Sequence, residues 1–305
     1  MRLLLLLAII VSVFAIAPPH PDAENEVHEM HRSLKGAYDS TGNTSLLVNA
    51  ALCSGMTEEE CLRMNEEFHR QARKLKKIYQ TTGYLKVLVI CVRFSDHADR
   101  GLPTQEQYDV FFNSPAPDAD LAPTGSVKQF IEHNSQGALE VDFDIMPWKT
   151  TNNTEAYYSF NKSGITRDFG ASTHSVMDQL EADGVDFSNY DLNNDGKIDA
   201  IMLLHSGYQA EVGNIDCYTG ALPKQRIWSH AILAPSNAWV SSTSGMALDN
   251  YSVGGGLRGV CWNRIPRLGI ITHEFLHLFG LPDLYDKNKY IGHGLGHYSL
   301  MASRE

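Results

Sequence analysis

Apolar positions along the chain fall into a few distinct patterns. Leu85 to Phe94 is a β-branched run interrupted only by Lys86 and Arg93, which predicts a central strand. From Ala138 to Met146 the pattern alternates: Leu139, Val141, Phe143 and Ile145 against Glu140, Asp142 and Asp144, a half-buried strand. Ser126–Asn134 places Val127, Phe130 and Ile131 on one face of a helix. Short helices are expected over Gln105–Phe112 and Ser172–Ala182, and a further strand over Lys197–Leu204. Asp96–Thr104 and Tyr157–Asp168 read as loops. Residues 206–262, rich in Gly, Ser and Asn, are expected to form surface loops and short strands. The apolar set Leu268, Ile270, Ile271, Phe275, Leu278 and Phe279 then marks a buried helix near the end of the sequence.

The first 82 residues follow other rules. Met1-Arg2 precedes an apolar stretch, Leu3 to Ala17, that ends in small residues. This is the pattern of a secretory signal peptide, and the stretch is too short for a membrane span. Residues 18–40 are polar and hold Pro18, Pro19 and Pro21, a linker composition. A helix is expected over residues 57–80. Thr57 would cap it, Glu58 to Glu60 fill its first turn, and Arg70, Arg73, Lys74, Lys76 and Lys77 form a basic end that suits the helix dipole. Such a helix is either simply solvated or part of a pro-segment with a protease-sensitive end. The core strand that starts just afterwards favours the pro-segment, so residues 1–17, 18–82 and 83–305 read as signal peptide, pro-segment and catalytic domain.

Composition adds constraints. A hydrophobic fraction of 43% is ordinary for a globular protein, and a net charge of −11 gives no electrostatic footprint for nucleic acid. No stretch beyond the N-terminus is apolar enough for a membrane anchor. Export permits disulfides, and position alone pairs Cys53 with Cys61 and Cys217 with Cys261, leaving Cys91 as a buried thiol in the first strand. Asn43, Asn152, Asn161 and Asn250 each begin an N-x-[ST] acceptor for glycosylation in surface loops.

The chemistry concentrates in His273-Glu274-Phe275-Leu276-His277-Leu278-Phe279-Gly280-Leu281-Pro282-Asp283. His273 and His277 are four residues apart, so a helix projects both imidazoles from one face, where they can bind one zinc ion. Glu274 lies beside them as a general base. Gly280 can end the helix in a left-handed turn and Pro282 discourages its continuation. The chain can then double back and present Asp283 as a third ligand, leaving one position open for water. Two histidines and a glutamate in a buried helix would be costly without a metal partner.

A second motif is Asp191-Leu192-Asn193-Asn194-Asp195-Gly196-Lys197-Ile198-Asp199. Side-chain oxygens at Asp191, Asn193 and Asp195 alternate as in calcium loops, Gly196 permits a sharp turn, and Asp199 can complete the ligand set. The twelfth position of an EF-hand would be Met202, so a full EF-hand is not expected. The other reading is a polar turn that precedes a strand.

With these motifs in place, residues 84–303 resemble the immune inhibitor A-type secreted metalloproteases, a zinc-dependent group with metzincin features. The resemblance is carried by Gly125–Phe130, Val185–Asp191, Ile227–His230, His273–Asp286 and Tyr298–Ser303. It implies an α+β, metzincin-like fold, in which a twisted mixed sheet supports the active-site helix and the lower subdomain is truncated. It implies zinc on His273, His277 and Asp283, Glu274 as general base, and a Met-turn in which Met301 supports the metal without ligating it. No tyrosine follows the Met-turn, and Tyr298, His293 and His297 read as ordinary loop residues. The implied partners are protein or peptide substrates. The rival readings are a catalytically inactive secreted binding protein that keeps its metals, and an amidase or deacetylase using the same zinc-bound water.

Overall fold

A computed structural model describes residues 82–164, 169–233, 238–284 and 299–302. The signal peptide, the pro-segment helix, Asn43, the Cys53–Cys61 pair, His293, His297 and Tyr298 lie outside them. The chain divides into two compact units. The larger comprises Thr82–His133 and Leu139–Phe279. The described part of the smaller comprises residues 134–138, 280–284 and 299–302.

The larger unit is built on one mixed, mostly parallel sheet. Its strands are β1 (Gly83–Arg93), β2 (Leu139–Ile145), β3 (Lys149–Thr150), β4 (Ile201–Tyr208), β5 (His230–Leu233) and β6 (Asn250–Leu257). The order is β2-β1-β4-β6-β5, with β3 also paired to β1. All pairings are parallel except β5 with β6, so one antiparallel strand closes that edge. The helices are α1 (Gln105–Asn113), α2 (Val127–Asn134), α3 (Glu155–Ser159), α4 (Gly170–Ala182) and α5 (Leu268–His277). The architecture is α+β, as expected.

The central strand owes its unbroken apolar run to burial on both faces, the usual state of a parallel strand. Leu88, Ile90, Val92 and Phe94 share a core with Val176, Met177 and Leu180 of α4. Phe143 of β2 meets Phe112 of α1 at 4.9 Å and Phe275 of α5 at 5.4 Å between ring centroids. The alternation in β2 marks an outer strand whose polar residues face partners such as Lys128, which holds Asp142 at 2.6 Å. Local signals set the ends of α1. The Thr104 hydroxyl accepts from the Gln107 N–H at 3.3 Å, and the Gln107 side chain accepts from the Thr104 N–H at 2.9 Å, a complete capping box.

Several expectations need correction. The strand expected over Lys197–Leu204 instead runs Ile201–Tyr208. Asp199 accepts from the Leu192 N–H and the Asn193 amide, so this stretch closes a loop before the strand begins. Within the segment read as a Tyr157–Asp168 loop, the first residues continue α3, which Thr154 caps through the Tyr157 N–H at 3.2 Å. Residues 206–262 hold more than loops, because β6 is a fully buried inner strand. Asn250 lies in that strand at 4% exposure, so it is no glycosylation site in the folded chain, whereas Asn152 and Asn161 are exposed.

The glycines of β6 make room for neighbours. A Cβ on Gly254 would sit 2.4 Å from the terminal methyl of Ile271 in α5. One on Gly256 would sit 2.7 Å from the Tyr108 hydroxyl and 3.0 Å from both the His205 carbonyl oxygen and Trp148. The Tyr108 hydroxyl donates to the Gly256 carbonyl at 2.6 Å, which fixes it there. A substitution at Gly256 therefore meets backbone, while one at Gly254 meets a side-chain tip that can turn aside. Gly256→Ala is expected to destabilise the fold by about 1–3 kcal/mol, and Gly254→Ala by less. Denaturant melts of the two variants check this order, and equal midpoints would refute it.

Candidate metal centre

α5 carries the His-Glu-His set. It starts after Arg267, whose backbone is extended and whose side chain does not cap. Its sequence includes Gly269 and the β-branched Ile270, Ile271 and Thr272, so intrinsic propensity for helix is low. Packing supplies what propensity lacks. Ile271, Phe275 and Leu276 are buried, and the Phe275 ring stacks edge-on against Phe279 at 5.2 Å. The last turn tightens as the Leu278 N–H donates to the Phe275 carbonyl and the Phe279 N–H to that of Leu276.

This packing turns one face outward. The rings of His273 and His277 lie with centroids 4.9 Å apart, nearly perpendicular. The Glu274 carboxylate sits between them. One oxygen is 4.0 Å from His273 Nε2 and the other 3.9 Å from His277 Nε2. Both imidazole Nε2 atoms therefore converge on one small region. The three side chains are between 11% and 18% exposed, open enough for a substrate yet shielded enough to strengthen electrostatics. Two imidazole nitrogens with an adjoining carboxylate suit a borderline ion such as zinc.

Asp283 and Met301 belong to the smaller unit. Gly280 adopts φ 81°, the left-handed conformation expected where the helix motif ends. Asp283 is half-buried, and the next residue, Leu284, donates its N–H to the Met301 carbonyl at 2.7 Å. Met301 is buried in a turn in which the Ala302 N–H donates to the Ser299 carbonyl and the Met301 N–H to the Ser299 hydroxyl. The segment after Asp283 is thus tied to the turn expected from sequence.

The 191–199 loop closes on itself. Asp191 accepts from the Asp195 and Gly196 N–H groups at 3.0 and 2.9 Å, and Asp195 accepts from the Lys197 N–H at 3.0 Å. Burial, with Asp191 and Asp195 nearby, raises the Asp199 carboxyl above its ordinary range. Cys217 and Cys261 are disulfide-bonded, as their positions suggested, and Cys91 is a buried thiol whose pKa burial pushes up. Sequence reasoning passed over one feature, a buried polar cluster of His97, Arg100, Glu155, His205, Asp216 and Arg226. Its members are scattered from residue 97 to residue 226, so no spacing announces them.

A mixed sheet that buries a helix bearing HExxH fits the metalloprotease class of domain. Comparison with known proteins is specific. The model of the immune inhibitor A peptidase M6 catalytic domain matches residues 76–305, and the chain belongs to that family. It is 27% identical over 248 residues to immune inhibitor A of Bacillus thuringiensis subsp. alesti, covering 68% of this chain and 34% of that protein. It is 25% identical over 254 residues to the pre-pro-metalloprotease PrtV of Vibrio cholerae, covering 72% and 27%. The chain therefore spans about a third or less of the length of these relatives.

Because packing holds α5, Phe275→Ala is expected to cost about 3–5 kcal/mol. Equilibrium denaturation measures the loss, and a cost under about 1 kcal/mol would show that the helix does not depend on this contact.

Proposed function

We propose that this protein is a secreted zinc-dependent metalloendopeptidase. The observation that carries the reading is the convergence of both histidine Nε2 atoms on a region flanked by the Glu274 carboxylate. In this reading His273, His277 and Asp283 hold the ion. The donor chemistry of the two imidazoles and the left-handed Gly280 before Asp283 support that set. Met301 takes the part of the Met-turn methionine, supporting the metal without ligating it. When bound, zinc supplies a Lewis acid that activates water and polarises the scissile carbonyl. Glu274 accepts the proton of the attacking water and returns it to the leaving amine, so the peptide bond gains OH on carbon and H on nitrogen. Packing of Ile271 and Phe275 holds the imidazoles in place while the proton moves. Substrates are proteins or peptides, and the acidic chain has no charge suited to nucleic acid.

Export belongs to the same proposal, with residues 1–17 as signal peptide and 18–82 as pro-segment. The Cys217–Cys261 disulfide supports an oxidising compartment. Among the described residues no helix is long and apolar enough to cross a membrane.

Digestion of casein or a quenched peptide tests the reaction. Glu274→Gln is expected to lower kcat/KM by about 10²–10⁴-fold while zinc content is unchanged. A zinc chelator should abolish cleavage. Equal cleavage by wild type and Glu274→Gln would sink the mechanism. Zinc retained by an inactive wild type would favour the binding-protein reading.

Calcium at Asp191, Asn193, Asp195 and Asp199 is proposed as a structural tie for the loop. The mutual crowding of its carboxylates supports this. Calcium should raise the melting temperature of the wild type and leave Asp199→Asn unaffected. A wild type indifferent to calcium would remove the site.

A further inference from the structure

The sheet holds a second set of metal-type donors, away from the α5 motif. β1 and β4 are parallel neighbours, and the segments that follow their C-terminal ends carry most of the set. His97 ends the short 3₁₀ turn after β1, Asp216 lies in the loop after β4, and Glu155 opens α3. One ligand atom from each lies within 4.8 Å of those of the other two. His97 is 2% exposed, Glu155 1% and Asp216 fully buried.

Two atoms of these three residues have no hydrogen-bond partner, His97 Nε2 and Glu155 Oε2, which lie 3.6 Å apart; in the wider cluster His205 Nε2 and Arg226 Nε and Nη1 also have none. The other atoms of the same groups are engaged. His97 Nδ1 pairs with the Ser206 hydroxyl at 2.9 Å, and that hydroxyl accepts the Phe94 N–H at 3.0 Å. Glu155 Oε1 accepts the Ile227 N–H at 3.2 Å. Asp216 accepts from Arg100 at 2.6 Å and from the Tyr218 and Thr219 N–H groups at 2.8 and 3.2 Å. A metal-binding histidine commonly has its second nitrogen fixed in this way.

Charge points the same way. The surrounding ionisable groups are Asp96, Arg100, His205, Glu211, Arg226 and His230. Buried Glu155 and Asp216 and half-buried Glu211 face two guanidiniums, Arg100 and Arg226. Arg100 is committed to Asp216 and the Ser206 carbonyl, while Arg226 donates to the Gly213 and Asn214 carbonyls. Glu155 therefore has no hydrogen-bonded cation. The nearby guanidiniums only partly offset its burial, which favours the protonated acid unless a metal ion takes the proton's place. Gly207 has been kept clear for it: a Cβ there would sit 2.1 Å from Glu155 Oε1.

We propose that His97, Glu155 and Asp216 form a second, structural site for a divalent ion of the zinc or cobalt class, locking the ends of β1 and β4 to α3. One imidazole nitrogen with two carboxylates selects this class over calcium, which takes oxygen ligands only. Burial lowers the His97 imidazole to about 4, so at neutral pH its ring is uncharged and has a lone pair to donate. Burial also raises Glu155 to about 8, so metal binding must displace a proton there.

The test uses the full chain with His273→Ala and His277→Ala, which removes the α5 histidines and any dependence on proteolysis. After chelator treatment it is titrated with zinc, and in parallel with cobalt, read by metal analysis and visible absorption. One equivalent is expected to bind the folded protein. Its affinity should rise about tenfold per pH unit below pH 8, because one proton leaves Glu155. Glu155→Gln, which removes the charge with little change of shape, should abolish that equivalent while circular dichroism stays native. His97→Ala should do the same. A folded parent that binds no metal overturns the site, as does retention of the equivalent in Glu155→Gln. The metal-free parent should lose stability as pH rises from 4.5 to 8, because the proton on buried Glu155 leaves, and one equivalent of zinc should restore it; zinc that restores no stability at pH 8 also overturns the proposal. None of these readouts depends on the α5 centre being catalytic.

Discussion

The close approach of α5 to the glycine-bearing face of β6 is the contact on which the candidate centre depends. A ten-residue helix containing glycine and three consecutive β-branched residues would be unstable alone. It exists because Gly254 lets Ile271 come within reach of the strand and because Phe275 fills the space over Phe143. Once that face is fixed, the positions of His273, Glu274 and His277 follow from helical periodicity. The geometry of the candidate centre is thus set by residues outside the His-Glu-His set. Tyr108 extends the arrangement, since its bond to the Gly256 carbonyl couples α1 to the same strand.

Much of this was legible in the sequence, for a physical reason. The β1 run, the β2 alternation, the α1 and α2 helices and the His-Glu-His face are encoded in neighbours a few residues apart. Local periodicity carries such information directly. The Cys217–Cys261 pair was expected from position alone, and it forms. β6 was not. Its glycines look like loop residues until Ile271, Gln209 and Tyr108 are seen occupying the space that side chains would fill. Asn250 was misread for the same reason, since a glycosylation triplet carries no information on burial. The start of β4 was misplaced because Asp199 serves the preceding loop.

The buried cluster illustrates a different limit. His97, Glu155, His205 and Asp216 come from four segments, and each is unremarkable in its own stretch of sequence. Only the parallel pairing of β1 with β4 brings the segments after them to one place, the end of a parallel sheet where polar groups can gather without breaking the ladder. Loop chemistry then sets the details. Asp216 sits in a turn in which the Gly220 N–H donates to the Asp216 carbonyl, and the adjacent Cys217 is anchored by both its disulfide and its N–H bond to Val260. The disulfide therefore restrains the loop that delivers this carboxylate.

The two clusters differ in burial, and burial divides the roles proposed for them. The α5 histidines keep part of their surface open, so an ion held there retains room for water and substrate. His97, Glu155 and Asp216 are closed on every side, and a donor set without access cannot turn over a substrate. Its worth lies in neutralising charge that the fold has placed indoors. Arg100 shows how far the chain has gone toward that end: it spans Asp216 and the Ser206 carbonyl and lies 4.9 Å over the Tyr208 ring. Having matched Asp216 in this way, the fold leaves Glu155 hydrogen-bonded to neither guanidinium. That carboxyl group lies 3.6 Å from an imidazole nitrogen whose ring is held from behind by Ser206. Burial keeps it protonated up to about pH 8, so an ion that binds there replaces a proton the fold already holds.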